Sequence, residues 1–160
     1  MRKRKKVVVK GIVLVLLFLC VAVTWFYLEF WLPHRTIYDN LLHPDIQEDY
    51  ILRKKVRDAC HKVLSYRIGN FNSAFNGIVE VGDKDSIPYL IRTLKRLNQK
   101  SENEMPFHNH YTKYCVGCLR RLTGMKLGLN YKDWEDWWEQ TGRHLPFDEE
   151  KGHLILQDEE

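Results

Sequence analysis

The chain has 160 residues and a mass of 19.2 kDa, a length typical of one domain. With 44% hydrophobic and 29% charged residues, the composition argues against wholesale disorder, a collagen-like repeat and a membrane protein with several spans. Six of the 25 basic residues and one of the 21 acidic residues precede Pro33, which leaves 19 basic and 20 acidic residues after it. This balance lacks the basic excess of a nucleic-acid-binding domain, so we expect no nucleic-acid partner.

A long apolar segment follows the basic N-terminus and covers residues Val7 to Leu32. No charged residue lies between Gly11 and Tyr27, and the whole run reaches the ~20 residues that a helix needs to cross a bilayer core. Bulky aromatic residues of the kind found at the headgroup level collect at its far end: Trp25, Phe26, Tyr27, Phe30 and Trp31. The sequence therefore predicts a transmembrane anchor over residues 7–32, and we expect Pro33 to stop the helix.

Two alternatives to a retained anchor fit the segment less well. A cleaved secretory signal has a shorter apolar region and a small-x-small cleavage site, which does not occur before Pro33. A lipoprotein signal ending at Cys20 would need a small residue in place of Leu17 to Leu19. Five basic residues lie within the first six positions, whereas Arg35 is the only basic residue close to the other end. The positive-inside rule then predicts a cytoplasmic N-terminus and an extracytoplasmic soluble domain.

Past the anchor, the periodicity predicts helices and no strands. Residues 33–44 read as a connector, and a helix of about five turns is expected from Asp45, which would cap it. Its inward positions recur at helical spacing: Ile46, Tyr50, Val56, Cys60, Val63 and Leu64. Gly69 and Asn70 are expected to end this helix.

Four further helices follow from the same signals. One runs from Asn72 to Val81 and is closed by Gly82, and the next begins after a turn in which Asp85 caps and Pro88 occupies the first turn. These two helices are predicted to form a compact antiparallel hairpin. Residues 98–107 read as a loop, and a fourth helix, over residues 108–123, ends at Gly124.

The fifth helix is short, over residues 131–140, with Asn130 as its N-cap and Gly142 beyond its end. Trp134, Trp137 and Trp138 share one face of it and form a structural aromatic cluster, with Trp134 and Trp138 expected in the core. The alternative is an exposed aromatic platform for a ligand or a bilayer surface. The acidic end of the chain, residues 146–160, is predicted to be flexible.

Two segments resemble a known family. Residues 72–96 read NSAFNGIVEVGDKDSIPYLIRTLKR and resemble a HEAT-type repeat, with Gly-Asp ending one helix and Ile-Pro-x-Leu-Ile starting the next. Residues 118–142 carry a Leu-Thr-Gly followed by a Trp-x-x-Trp-Trp helix, and they resemble a terminal unit of bacterial HEAT-repeat proteins. The resemblance implies a stack of helix pairs that acts as an interaction scaffold. The sequence shows two such pairs and one further helix, whereas solenoids usually need about three repeats.

Two groups of residues could carry chemistry. Cys115 and Cys118 form a CxxC, which is either a structural pair or a thiol-disulfide redox pair. The pair would fall in the middle of a helix, without the helix N-terminus that lowers a thiol pKa. His108 and His110 could join these cysteines in a zinc site, or be exposed residues at a helix start.

No phosphate-binding loop and no nucleophile elbow occurs in the sequence. The acidic residues available for acid/base pairs fall at turns and caps, which already explain them: Asp83, Asp85, Asp133, Asp136 and Glu139. We therefore expect a non-enzymatic protein without a cofactor. The alternatives are a membrane-anchored thiol-disulfide oxidoreductase and a zinc-stabilised structural module.

Together these patterns predict an all-α protein with a transmembrane helix followed by a short HEAT-like domain that binds a protein partner. The expected divisions are a basic cytoplasmic tail at 1–6, the anchor at 7–32, the connector at 33–44, the HEAT-like domain at 45–145 and the acidic tail at 146–160.

Overall fold

The computed structural model describes residues 2–66, 71–101 and 107–156, and the side chains of residues 11–66, 71–99 and 110–156. The described part of the chain is all-α apart from one short hairpin, as predicted. Its helices are α1 (Arg2–Phe26), a π-helical segment (Tyr27–Trp31), α2 (Leu32–Leu41), α3 (Tyr50–Leu64), α4 (Asn72–Val81), α5 (Ser86–Ser101), α6 (Phe107–Thr123) and α7 (Tyr131–Gln140). Single 3₁₀ turns occur at Pro44–Ile46 and Gly142–His144.

The first long helix does not stop at Pro33, contrary to the prediction. The chain stays helical from α1 through the π-helical segment into α2, so most of the predicted connector is helix. A π turn is wider than an α turn, and here the N–H of Leu32 donates to the carbonyl of Tyr27, five residues earlier. Pro33 then lies at the start of α2, where its missing N–H is tolerated. Within the described residues, one helix, Gly11–Leu41, is long and apolar enough to cross a membrane.

Two side chains, Lys62 on α3 and Tyr66 just beyond its end, compensate for the irregular turn before Pro33. Pro33 has no N–H to donate to the carbonyl of Glu29 four residues earlier, and the hydroxyl of Tyr66 donates to that carbonyl instead. Because the N–H of Leu32 donates to the carbonyl of Tyr27, the carbonyl of Leu28 lacks its usual helical donor. The Nζ of Lys62 donates to the Leu28 carbonyl instead, at 3.2 Å. Lys62 also pairs with the carboxylate of Glu29 at 2.9 Å. We call these contacts the joint, because they fix the long helix to the domain.

The helices after the π-helical segment form two rows. The first row contains α2, α4 and α6, and the second contains α3 and α5, with α3 packed against both α2 and α4 and α5 packed against α6. Helices within a row run parallel: His34 on α2 contacts Ser73 on α4 at 3.1 Å, and Arg121 on α6 donates to the carbonyl of Val79 near the end of α4. The second row likewise aligns, since Thr93 on α5 donates to Leu64 at the end of α3. The membrane-type helix thus supplies the first helix of the stack.

The packing of α4 and α5 differs from the predicted hairpin, and α7 takes a direction that the sequence did not indicate. The helices α4 and α5 pack mainly on α3 and α6, respectively, and not on each other as a compact hairpin. The last helix, α7, lies antiparallel to α5: the N–H of Tyr131 donates to Asn98 at 2.9 Å, and Lys95 pairs with Glu135 at 3.1 Å. Because α6 also runs antiparallel to α5, α6 and α7 point the same way and are joined by an extended connection.

Local signals account for most of the helix boundaries. The bounds of α4 and α7 agree with the sequence, Asn130 accepts from the N–H of Lys132 at 3.1 Å as the N-cap of α7, and Gly124 has a φ of 72°. The prediction that Asp45 caps α3 is wrong, because the side chain of Asp49 accepts from the first N–H groups of the helix, those of Ile51 and Leu52. Gly69 and Asn70 lie outside the described residues.

Other boundaries were also misplaced. Helix α5 continues to Ser101, into the predicted loop at 98–107, whose residues 102–106 lie outside the described part. At its start, Asp83 and not Asp85 accepts from the N–H of Ser86. The predicted flexible tail contains an antiparallel hairpin of β1 (Phe147–Asp148) and β2 (His153–Leu154), and Leu154 is buried. This burial against α6 contradicts flexibility for residues 147–154.

The core fills the space between the two rows and under α7. Trp134 is fully buried and its Nε1–H donates to the carbonyl of Gly128 at 2.9 Å, as expected for a core aromatic residue. Trp137 and Trp138 are only half-buried, so the predicted burial of Trp138 is incomplete. Gly77 allows α4 to approach α3, since a Cβ there would lie 2.4 Å from the Sγ of Cys60.

Replacing Trp134 with Ala should lower the free energy of unfolding by about 3–5 kcal/mol, because it leaves a large cavity and an unpaired carbonyl. Trp138→Ala is the matched control and should cost less, because its ring is partly in solvent. Denaturant unfolding of the full chain in detergent, followed by circular dichroism, measures both. Equal losses in the two variants would contradict the placement of Trp134 at the centre of the core.

Candidate functional site

A groove of about 810 Å³ lies between α3 and the start of α5 and is the candidate site. Most of its lining comes from the first three turns of α3 and the first two turns of α5, and Glu149 of the β-hairpin closes one side. The side chains that matter here are aromatic or charged: Tyr50, Arg53, Arg57, His61, Tyr89 and Arg92. Tyr50 is 68% exposed, although its spacing predicted a core position.

A hydrogen-bonded network forms the floor of the groove. Asp83 and Ser86 cap the start of α5 reciprocally: the N–H of Ser86 donates to Asp83 Oδ1 and the N–H of Asp83 donates to Ser86 Oγ, each at 3.1 Å. The Nε2 of His61 lies 2.8 Å from the same hydroxyl. Arg57 pairs with Asp83 at 3.0 Å, and both side chains are nearly buried. The network ties α3 to α5 and keeps the floor rigid.

The aromatic side of the groove is a short stack. The imidazole of His61 stacks on Tyr89 with ring centroids 4.2 Å apart. The guanidinium of Arg92 also contacts Tyr89, at 4.6 Å from the centroid of its ring. Burial lowers the pKa of His61 below its usual 6.5, against the smaller opposing effect of Asp83. His61 is therefore neutral at pH 7, which suits its position between a ring and a hydroxyl.

This network resembles a catalytic triad in composition but not in geometry. In a triad the carboxylate orients the imidazole, whereas Asp83 contacts the serine here. Ser86 is fully buried and already occupied by the helix cap. The arrangement is suited to holding the two helices together under the groove.

Arg53 differs from the other cations of the groove. Its Nε is buried and has no acceptor among the residues that the structure describes. The carboxylate nearest in sequence, Asp49, is used to cap α3. In contrast, Lys54 pairs with Asp58 at 2.6 Å.

A second, smaller groove of about 300 Å³ lies between α4 and α6. Its lining is mostly apolar and includes Phe75, Val79 and Tyr114, with Tyr114 46% exposed. It lacks the charged network of the first groove, so we treat it as a comparison surface.

Cys115 and Cys118 lie in the middle of α6, as predicted, and both are buried. Both thiols are free, and each donates to a backbone carbonyl: Cys115 to Leu90 at 3.2 Å and Cys118 to Phe75 at 3.5 Å. Burial raises the pKa of Cys118 to about 12 and raises that of Cys115 well above its usual value. Such thiols carry little thiolate, the form that attacks a disulfide.

Three of the four predicted zinc ligands have described side chains, His110, Cys115 and Cys118, and the structure does not bring these three together. His110 is exposed and its ring lies 4.6 Å from that of Tyr114, whereas the two cysteines face the core. The side chain of His108 lies outside the described residues. Among the side chains that the structure describes, no cluster of three or more His, Cys, Asp or Glu residues could hold a metal ion.

The sequence signals for the groove were present but incomplete. The spacing of Asp83 and Ser86 predicts a helix cap, yet it does not show that His61 reaches the same hydroxyl. His61 follows Cys60 on the inward side of α3, where a histidine needs a polar partner. That partner comes from another helix, 25 residues later.

No protein-family model matches the chain, and comparison with curated proteins and with solved structures finds no significant similarity.

The neutral His61 predicts a specific pH dependence. Its pKa is lowered in the folded state, so the unfolded chain binds the proton more tightly and stability falls as the pH drops below about 6.5. The loss should be at most about 1.4 kcal/mol per pH unit and should end below the folded-state pKa. His61→Gln should flatten this slope in denaturant unfolding between pH 7.5 and 5, while the exposed His144→Gln should not. An unchanged slope in His61→Gln would show that His61 is not the group responsible.

The cysteine pair can be tested in the same preparation. Replacing both Cys115 and Cys118 with Ala should reduce stability by a few kcal/mol at most, as for small buried side chains. The wild-type chain should not reduce insulin disulfides, because its thiols are buried and protonated. Insulin-reducing activity that disappears in the double variant would establish the redox alternative instead.

Proposed function

We propose that the chain is a single-pass membrane protein that holds a small helical-repeat domain outside the cytoplasm and uses it to bind another protein, without catalysis. The observation that carries the proposal is the groove of aromatic and charged side chains on a scaffold continuous with an apolar helix. The joint, the two helix rows and the network under the groove all favour a rigid surface over a moving active site.

The membrane part of the proposal draws on length and charge. The helix Gly11–Leu41 is long and apolar enough to cross a bilayer, and its most apolar part is not covered by the domain. The cluster of Arg and Lys residues at positions 2–6 supports a cytoplasmic N-terminus through the positive-inside rule. The joint contacts Leu28 and Glu29, which lie in the last turns of the predicted span at residues 7–32.

The repeat part draws on the resemblance to HEAT-repeat proteins and on the two rows of helices. Parallel packing within each row is how helix pairs stack in a solenoid, and α2 packs on α3, the helix that stood without a pair in the sequence. The reversed α7 covers the end of α5. Because repeat stacks present extended binding surfaces, this architecture favours a protein partner.

The choice of groove follows from its residue types. Tyrosine and arginine are enriched among the residues that carry most of the binding energy in protein interfaces. Tyr50, Arg53 and Arg92 are of these types and line one groove. The buried, protonated cysteines support a structural role for the CxxC.

Topology is tested by fusing alkaline phosphatase or a fluorescent protein after Glu160. We expect phosphatase activity and no fluorescence, because the phosphatase folds in an oxidising compartment and the charge asymmetry places the domain there. A fluorescent fusion without phosphatase activity would reverse the orientation.

Partner binding is tested by placing a photo-crosslinking amino acid, p-benzoylphenylalanine, at Tyr50 in the groove and, as a control, at Tyr114 on the other face. Illumination of intact cells should give one discrete adduct from Tyr50 and none from Tyr114. An adduct from Tyr114 alone would move the binding surface to the α4–α6 groove, and the absence of any protein adduct would contradict a binding function.

A further inference from the structure

We propose that the groove recognises a single carboxylate side chain of the partner protein, and that Arg53 is the residue that receives it. This inference rests on the proposed function and assigns the chemistry of its contact. The juxtaposition behind it is one guanidinium without an ion pair among the described residues, in a groove that an exposed tyrosine and an arginine–tyrosine stack also line.

The charges of the groove are unequally satisfied. Lys54 and Arg57 each pair with a carboxylate of the domain, at 2.6 and 3.0 Å. The guanidinium of Arg53 has no ion pair among the described residues, and its Nε is buried without an acceptor. Arg53 also lines the groove, so a carboxylate bound there would give this guanidinium the partner that the described domain does not.

A carboxylate suits this position better than a neutral group. A guanidinium presents parallel N–H groups that match the two oxygens of a carboxylate, and such charged hydrogen bonds are stronger than neutral ones. The neighbouring side chains favour a carboxylate that belongs to a peptide, because tyrosine and arginine are enriched at protein interfaces. Tyr50 is exposed, and Arg92 lies over the ring of Tyr89.

The acidic residues of the groove limit what the partner can carry. Asp85 and Glu149 also line it, both are exposed, and neither has an ion pair among the described residues. A continuous run of acidic residues in the partner would be repelled by them. The groove is therefore complementary to one carboxylate with neutral or basic neighbours.

The test uses the full chain, ¹⁵N-labelled, in detergent micelles. The probe is the peptide Ac-Gly-Tyr-Gly-Glu-Gly-Lys-NH₂, with the same peptide carrying Gln in place of Glu as its control. We expect the Glu peptide to shift the Arg53 Nε–H resonance saturably, and the Gln peptide to bind at least 10-fold more weakly. Added salt should weaken the binding of the Glu peptide, because the contact is ionic.

Variants separate a specific contact from general attraction to a basic helix. Arg53→Gln should abolish the difference between the two peptides, and Arg53→Lys should reduce it, because an ammonium lacks the planar fork. Lys55→Gln removes the same charge from an exposed position outside the groove and should leave the difference intact. Amide spectra confirm that each variant keeps its fold.

Inorganic phosphate is the alternative ligand, because it is an anion that could also bind the guanidinium of Arg53. Saturable binding of phosphate at Arg53, with no discrimination between the Glu and Gln peptides, would overturn the inference in favour of a free-anion site. Equal binding of the two peptides, or no shift at Arg53 with either, would also overturn it. These outcomes leave a photo-crosslinked partner at Tyr50 standing, so the failure of this inference is distinguishable from that of the proposed function.

Discussion

The structure depends on how the backbone before Pro33 is satisfied. A proline inside a helix removes one N–H donor and normally kinks or ends the helix. Here the π-helical segment accommodates the ring, and the carbonyls of Leu28 and Glu29 find donors in Lys62 and Tyr66. The same correction that keeps the long helix intact also attaches it to the domain. A helix that could cross a membrane thereby becomes the first helix of the stack.

Helix α3 connects this joint to the groove. Its C-terminal end supplies Lys62 and is also held from α5, where the guanidinium of Arg96 donates to the carbonyls of Ser65 and Tyr66 at 2.9 and 2.6 Å. Its first turns supply Arg53 and Arg57 to the groove. One helix of 15 residues is therefore fixed at one end to the long helix and presents the candidate binding surface at the other. The position of the groove relative to the long helix follows from this.

Sequence reasoning succeeded where the cause of a structural feature is local. The bounds of α4 and α7 follow from residues within one turn of their ends, such as Asn130, and the burial of Trp134 follows from its place among apolar positions. It failed where the cause lies far along the chain. The donors that let the helix pass Pro33 come from Lys62 and Tyr66, and no local pattern indicates them.

The same distinction applies to the site. The cap formed by Asp83 and Ser86 is a local pattern, but its contact with His61 depends on the parallel packing of α3 and α5. The reversed direction of α7 depends on Lys95 and Asn98, which lie more than 30 residues before their partners. Arg53 has no ion pair among the described residues, and the sequence does not indicate this, because Asp49 lies four residues earlier, within helical reach, but caps α3 instead.

The most direct test of this account is whether the domain is rigidly fixed to the long helix. A spin label on the native Cys20, which is exposed, and a second on a cysteine replacing Tyr114 report one distance across the joint. The buried Cys60, Cys115 and Cys118 should stay unlabelled. Double electron–electron resonance in nanodiscs should give one narrow distance distribution when the joint is intact. The distribution should become broad when Lys62→Met and Tyr66→Phe remove the joint. A broad distribution with the joint intact would contradict the account.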